Sequence, residues 1–413
     1  MQVERINRPD RQIRAEAPTH WPTVALAVGM AILCAFQQFK VAPVLPVIMA
    51  DYGYTPLTAT WLVAIYGIGG FMVTLLGARQ LTRGPDAIQL SLGAFVAGSV
   101  VSWLGGGDAA WMLAGRFIES LGFGALVVQA QVLMHRNASR RDAPLASGLF
   151  AVWMPAGQLV AGAFAVFVTV FADPWLPWTL GVLLCAMFML AVARLSSAHP
   201  ERFSGDHQAA AATTPVTPVT VQQQAGAWVV GCAFALWSLT YIAFNSWITA
   251  YVEGTLGASL NTAQLAYTIP VIILWIFNIL AGVAISRGVP LILALLVALA
   301  VQTVCWVWAI GAGVDGAGLA LLVIFGVVFG IIPTCYWSLP RAMLGPDATP
   351  GQLGQSLTII LLIRYVGTLV GPVLLVAIAT AGGWANSFLT LAGLTVLSAL
   401  LAFIGYRYLR MRE

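Results

Sequence analysis

Lysine is nearly absent from this 413-residue chain, and charge of either sign is scarce: charged residues make up 8% against a hydrophobic share of 60%. A soluble domain carries about 25% charged residues, so this scarcity excludes a water-soluble fold. Histidine is thin as well. His20, His135, His199 and His207 all fall in segments expected to be cytosolic. That argues against a histidine proton relay and against a transition-metal path through the membrane. The cysteines Cys34, Cys185, Cys232, Cys305 and Cys335 lie inside apolar runs without metal-ligand spacing and read as small buried hydrophobes. No nucleotide-binding loop occurs, which excludes direct coupling to ATP. No intramembrane nucleophile–base or metal constellation appears either, so no enzyme, cofactor or metal is expected. The first twenty residues lack the apolar core of a cleaved leader.

Long apolar runs are what the chain does have. Twelve can be marked, from Pro22–Met49 to Ala385–Tyr406, each able to supply the roughly 20 residues that a spanning helix needs. A membrane β-barrel shows short alternating segments instead. The expected fold is therefore an all-α integral membrane bundle of twelve transmembrane helices. Arginine sets its orientation. With the N-terminus inside, every arginine of the tails and loops falls on the cytoplasmic side, while the outer loops carry Asp51, Asp108, Asp173, Glu253 and Asp315 and no Lys or Arg. Both termini are thus expected in the cytoplasm, and the net charge of +4 is this topology signal, not a nucleic-acid footprint.

Six runs precede, and six follow, a polar stretch rich in Pro, Thr and Gln. The expected organisation is a cytosolic tail (1–21), a six-helix half (22–194), a cytosolic linker (195–225), a second six-helix half (226–406) and a short tail (407–413). The halves resemble each other. "AFQQFKVA" from Ala35 aligns with "AFNSWITA" from Ala243, which sets Gln37 against Asn245, Gln38 against Ser246 and Phe39 against Trp247. "LGARQLTRGP" in the loop after the second run likewise aligns with "AGVAISRGVP" after the eighth. Parallel six-helix repeats with a site between them form a transporter architecture.

On these features the chain resembles the major facilitator superfamily. The loop signature G-x-x-x-D-R-x-G-R-R appears as "GARQLTRGPD", keeping Gly77 and Gly84 but placing Leu81 at the acidic position. The fourth-span signature R-x-x-Q-G-x-G appears as "RFIESLG", with Arg116 and Gly122 kept and Glu119 in place of the glutamine. An antiporter signature of the fifth span is only hinted at in "GLFAVWMPAGQLVAG". The segments "QQFKVAPVLPVIM" and "GRFIESLGFGALVVQAQ" are similar to the cyanate/nitroimidazole permease-like branch. The resemblance implies a bacterial inner-membrane protein, a monomer, whose first, fourth, seventh and tenth spans line a central cavity bordered by the eleventh.

Four ionisable residues remain inside spans: Lys40, Arg116, Glu119 and Arg364. Charge in a bilayer is costly, about 2.5–3.5 kcal/mol for a basic or acidic side chain at a helix centre, and marks pathways or pairs. Lys40 sits beside Gln37 and Gln38 and before Pro43 and Pro46. Arg116 and Glu119, three apart on one helix, can pair. Three cations against one anion favour an anionic ligand, and guanidinium groups suit carboxylates. The reading is a secondary transporter that moves a small organic anion by alternating access with protons. Lys40, Gln37, Gln38, Arg116, Asn245, Trp247 and Arg364 are the candidate substrate-binding residues, and Glu119 is the candidate proton carrier. Its expected partners are the anion, protons and the lipid bilayer. Two rivals are a drug/proton antiporter exporting amphipathic compounds and a non-transporting sensor that keeps the fold.

Overall fold

The structure, a computed structural model, describes residues 18–76, 84–139, 142–171, 173–203, 220–344 and 350–410. Among them every regular element is helical. Eleven stretches are long and apolar enough to cross a membrane. The last of these, Gln355–Arg407, has 53 residues and holds two spans, because the helix breaks at Gly383, where φ is 83°. The twelve expected spans are present.

The first span consists of α1 (Trp21–Phe39) and α2 (Leu45–Tyr52), separated at Lys40 and Val41 and by a short 3-10 turn, Ala42–Val44. Pro43 and Pro46 lack the N–H that a continuous helix needs, so the break falls just behind Lys40. Then follow α3 (Pro56–Leu75), α4 (Gly84–Leu104), α5 (Ala109–Asn137), α6 (Ala143–Ala151) with α7 (Trp153–Phe171) as the fifth span, and α8 (Leu176–Ala198). A short α9 (Pro200–Phe203) closes this half. The second half contains α10 (Val221–Gly254), α11 (Leu260–Ser286), α12 (Leu291–Ala309), α13 (Gly316–Leu344) and the double span α14 (Pro350–Arg410).

Helix starts follow local chemistry. Thr55, Asp108 and Ser259 each accept a backbone N–H of the first turn of α3, α5 and α11, and Thr220 forms a capping box with Gln223 at α10. The boundaries at the linker shift from expectation. Helix α8 runs on to Ala198, and Phe203 of α9 is buried, because an apolar face is still available there. Residues 204–219 lie outside the described residues. So do Arg79, Leu81 and Arg83 of the loop signature, most of the first tail, and Arg140 and Arg141. The described end of the tail is tied down: Thr19 Oγ1 donates to Asp142 Oδ2 at 2.6 Å, and His20 N–H donates to Asn137 O at 2.9 Å. At the opposite end of the bundle Tyr54 donates to Gly107 O at 2.6 Å. Burial pushes that phenol up to about 12, so it remains a neutral donor at ordinary pH.

Small residues position the helices that matter for the site. A Cβ on Gly98 or on Gly115 would run into the facing helix, so α4 and α5 cross in close contact and bring Ser99 to Glu119. Gly367 and Gly371 sit against the carbonyls of Ala235 and Leu239, which seats α14 on α10. Between the halves, Gly67 of α3 abuts Leu369 of α14, and Ala42 of the helix break packs with Tyr267 and Val271 of α11.

Candidate functional site

The buried charges assemble around one carboxylate. Lys40 ends α1, where its backbone N–H caps Phe36 O, and the break behind it turns the chain away. Its Nζ lies 2.8 Å from Glu119 Oε1, 2.7 Å from Gln37 Oε1 and 5.1 Å from the Trp178 ring centre. Arg116, one turn before Glu119 on α5, donates from Nη1 to Glu119 Oε2 at 2.6 Å. Ser99 of α4 donates to Oε1 at 2.8 Å and Tyr66 of α3 to Oε2 at 2.9 Å. Each carboxylate oxygen therefore accepts from one cation and one hydroxyl. Among the described residues Glu119 is the one fully buried carboxylate.

Arg116 is more committed still. Its Nε donates to Leu62 O at 2.9 Å, Nη1 to Gln37 O at 2.8 Å and Nη2 to Gln38 O at 3.0 Å, while its guanidinium lies 4.3 Å from the Tyr66 ring centre. It clamps the end of α1 to α3 and α5. The expected role of Arg116 as a direct ligand therefore does not fit this arrangement, since its donors already have protein acceptors. Lys40 likewise spends two of its three donors on protein acceptors, Glu119 Oε1 and Gln37 Oε1. Both cations point among α1, α3, α4, α5 and α8, within the first half, and not toward the second. Desolvating such a cluster is costly unless every member is bonded, and here Lys40, Arg116 and Glu119 all are. Gln37 completes it by donating to Cys185 Sγ at 3.4 Å on α8, whereas Gln38 keeps a buried Oε1 without a partner.

A second polar group lies where the halves meet. Tyr241 of α10 donates to Gln158 Oε1 of α7 at 2.6 Å, and Gln158 Nε2 donates to Asn245 Oδ1 at 3.4 Å. Arg364 of α14 stands close by, 5.4 Å from the Phe234 ring centre on α10 and 3.8 Å from Met154 Sδ on α7. It is 7% exposed, its Nε has no hydrogen-bond partner, and no carboxylate pairs with it among the described residues. Phe234, Trp237 and Tyr241 stack along α10 with ring centres 5.7 and 5.1 Å apart, an aromatic wall beside the guanidinium. A cation held by one arene face and a thioether is poorly compensated, and it is suited to an incoming anion.

The chain matches the family model of the Major Facilitator Superfamily over residues 27–349. It belongs to that superfamily. A curated relative, the Acurin A biosynthesis cluster MFS-type transporter of Aspergillus aculeatus, is 29% identical over 154 residues. The matched stretch is 34% of this chain and 26% of the relative, so the chain spans about a quarter of that protein. The crystal structure of a D-xylose-proton symporter matches in fold, with a TM-score of 0.70 over 93% of this chain and 97% of that one at 16% identity. The protein is thus a multi-pass membrane protein of the major facilitator fold.

In this major facilitator protein, the repeat-matched residues do not share surroundings. Gln37 faces α8 of its own half, whereas Asn245 reaches α7 of the other. Among the described residues Ser246 bonds its own helix alone, at Ile242 O. Trp247 is 4% exposed and packs at 6.4 Å from Trp384 inside the second half, away from both polar groups. Sequence reasoning missed Tyr66, Ser99 and Tyr241. A hydroxyl in an apolar run carries little signal, because most such groups bond the helix turn before them, as Ser91 and Thr74 do here.

Proposed function

We propose that this transporter moves a small organic anion together with protons by alternating access between halves 22–194 and 226–406. The proposed setting is a bacterial inner membrane, with both termini cytoplasmic and the chain acting as a monomer. Arg364 is the anion's partner, with Gln158, Tyr241 and Asn245 orienting it from both halves. Glu119 is the protonation site. Lys40 and Arg116, first expected to be ligands, act through their hold on Glu119, with Gln37 and Gln38 presenting acceptors to them.

One observation supports this reading above the others: a single carboxylate holds two buried cations. With Glu119 ionised, the group carries a net +1. A proton on Glu119 raises that to +2 in a water-poor space, a state that persists only if Lys40 moves or an anion enters nearby. Proton and anion thereby favour each other, and such mutual favouring is the physical content of coupling. The outer part of the first span adds a route for movement. Lys40 directly precedes the helix break, and that break carries Ala42 against α11 of the opposite half.

The test is a panel of small carboxylates, inorganic anions and organic cations screened by thermal shift on the purified protein, followed by uptake in proteoliposomes. Carboxylate binding that disappears in Arg364→Ala and tightens as pH falls supports the proposal. Binding of cations alone, or anion binding indifferent to pH and to Arg364, overturns it.

A further inference from the structure

The second half contains a cavity of about 490 Å³ that neither polar group uses. Small-molecule sites commonly occupy about 300–1,000 Å³. Its walls are aromatic: Trp247 and Tyr251 from α10, Trp306 from α12, and Trp384 and Phe388 from α14. These rings form a continuous set, with Tyr251 4.8 Å from Trp384 and 5.2 Å from Phe388, and Trp306 6.3 Å from Phe388. Trp247, Trp306 and Phe388 are held in place by this packing, at 4%, 1% and 7% exposed, so the space they border has firm walls.

The mouth lies between the first turns of α11 and α13. Leu265 and Leu319 line it and are 57% and 50% exposed, so it opens on the apolar outer surface of the bundle. The same rim carries Asp315. That carboxylate accepts from Gly318 N–H at 3.1 Å and caps α13. A helix N-terminus is equivalent to about half a positive charge, so the rim stays negative after this capping. The loops expected on this side contain acids and no Lys or Arg, and the charge at the mouth matches them.

From this juxtaposition we infer that the cavity is a binding site for an amphipathic organic cation, with its aromatic or alicyclic body between the tryptophans and its positive charge at Asp315. Apolar walls select a hydrophobic body, and ring faces favour a cation over an anion because their quadrupole is negative. The site is separate from the inter-half group, and the inference does not rest on the proposed anion transport. Occupancy holds the outer ends of α10, α11, α13 and α14 together.

The experiment uses the full chain in nanodiscs of zwitterionic lipid and compares tetraphenylphosphonium with tetraphenylborate, nearly equal in shape and opposite in charge. Equilibrium dialysis against empty nanodiscs is expected to give one saturable phosphonium site, about tenfold or more tighter than borate. Asp315→Asn is expected to erase most of that preference, and Ala309→Phe, which fills the cavity from α12, to abolish phosphonium binding. Ala266→Phe enters the same space from α11 and replaces Ala309→Phe if thermal unfolding shows that the latter does not fold. Equal binding of the two ions, no saturable binding, or phosphonium binding that survives both filling variants each overturns the inference. Carboxylate binding at Arg364 is measured in the same samples and is expected to be unchanged by Ala309→Phe, so failure here is separable from failure of the transport reading.

Discussion

Lys40, Arg116 and Glu119 carry a net +1 in a space that none of them shares with water, each being at most 1% exposed. Counting charge there ranks the substitutions. Lys40→Met leaves the neutral Arg116–Glu119 pair with its other bonds intact, and it is expected to change stability by no more than about 1 kcal/mol. Glu119→Gln leaves two cations facing each other and is expected to cost about 3–5 kcal/mol. The double variant returns the net charge to +1 and is expected to recover part of that loss, which thermal unfolding in detergent can measure. A Glu119→Gln protein as stable as wild type would mean that the cluster is looser than its 2.6 and 2.8 Å distances imply. For function, Glu119→Gln is expected to abolish pH-driven uptake in proteoliposomes while keeping exchange of solute for solute, which moves no net proton.

At the level of the helix, close approach is set by glycines facing carbonyls. A valine at Gly367 has to push against Ala235 O, so Gly367→Val is expected to separate α14 from α10 and cost about 1–3 kcal/mol, the usual range for overpacking. Gly393 meets nothing within 4 Å, and Gly393→Ala is the matched control, expected to leave the unfolding midpoint unchanged or slightly raised. Gly367 and Gly371 lie four apart in an apolar run, a spacing that lets helices approach closely. The α4–α5 crossing at Gly98 and Gly115 has no such spacing of glycines within one helix to announce it. Glycine is common throughout the chain, at 41 residues, and nothing in the sequence ranks Gly98 or Gly115 above the others.

For the whole molecule, the cross-half bond from Tyr241 to Gln158 links the two bodies that the proposed alternating access has to separate. Tyr241→Phe is expected to weaken carboxylate binding by about 0.5–1.5 kcal/mol, the net worth of one neutral hydrogen bond, and isothermal titration checks it. Unchanged affinity would make Tyr241 a packing residue only. Orientation is tested separately by single cysteines in a background without the native ones. Asn261→Cys at the start of α11 is expected to react with an impermeant maleimide in intact cells. Ser286→Cys at its other end is expected to react only after the membrane is opened. The reverse pattern would invert the proposed topology.

The number of spans, their grouping into six and six, and the break behind Lys40 were all determined by the sequence itself. Apolar length, arginine placement and proline are properties read along one dimension, and the bilayer converts length directly into a crossing. The sequence also marked Lys40, Arg116, Glu119 and Arg364, since charge in an apolar run stands out whatever the fold. Only the tertiary structure decided their partners. Helices apolar on every side carry no stripe to say which face turns inward, so their rotation is set by neighbours such as Gly98 on Gly115. That rotation puts Lys40 and Arg116 on one carboxylate within the first half and leaves Arg364 to the seam. It also parts Gln37 from Asn245, although their sequences align.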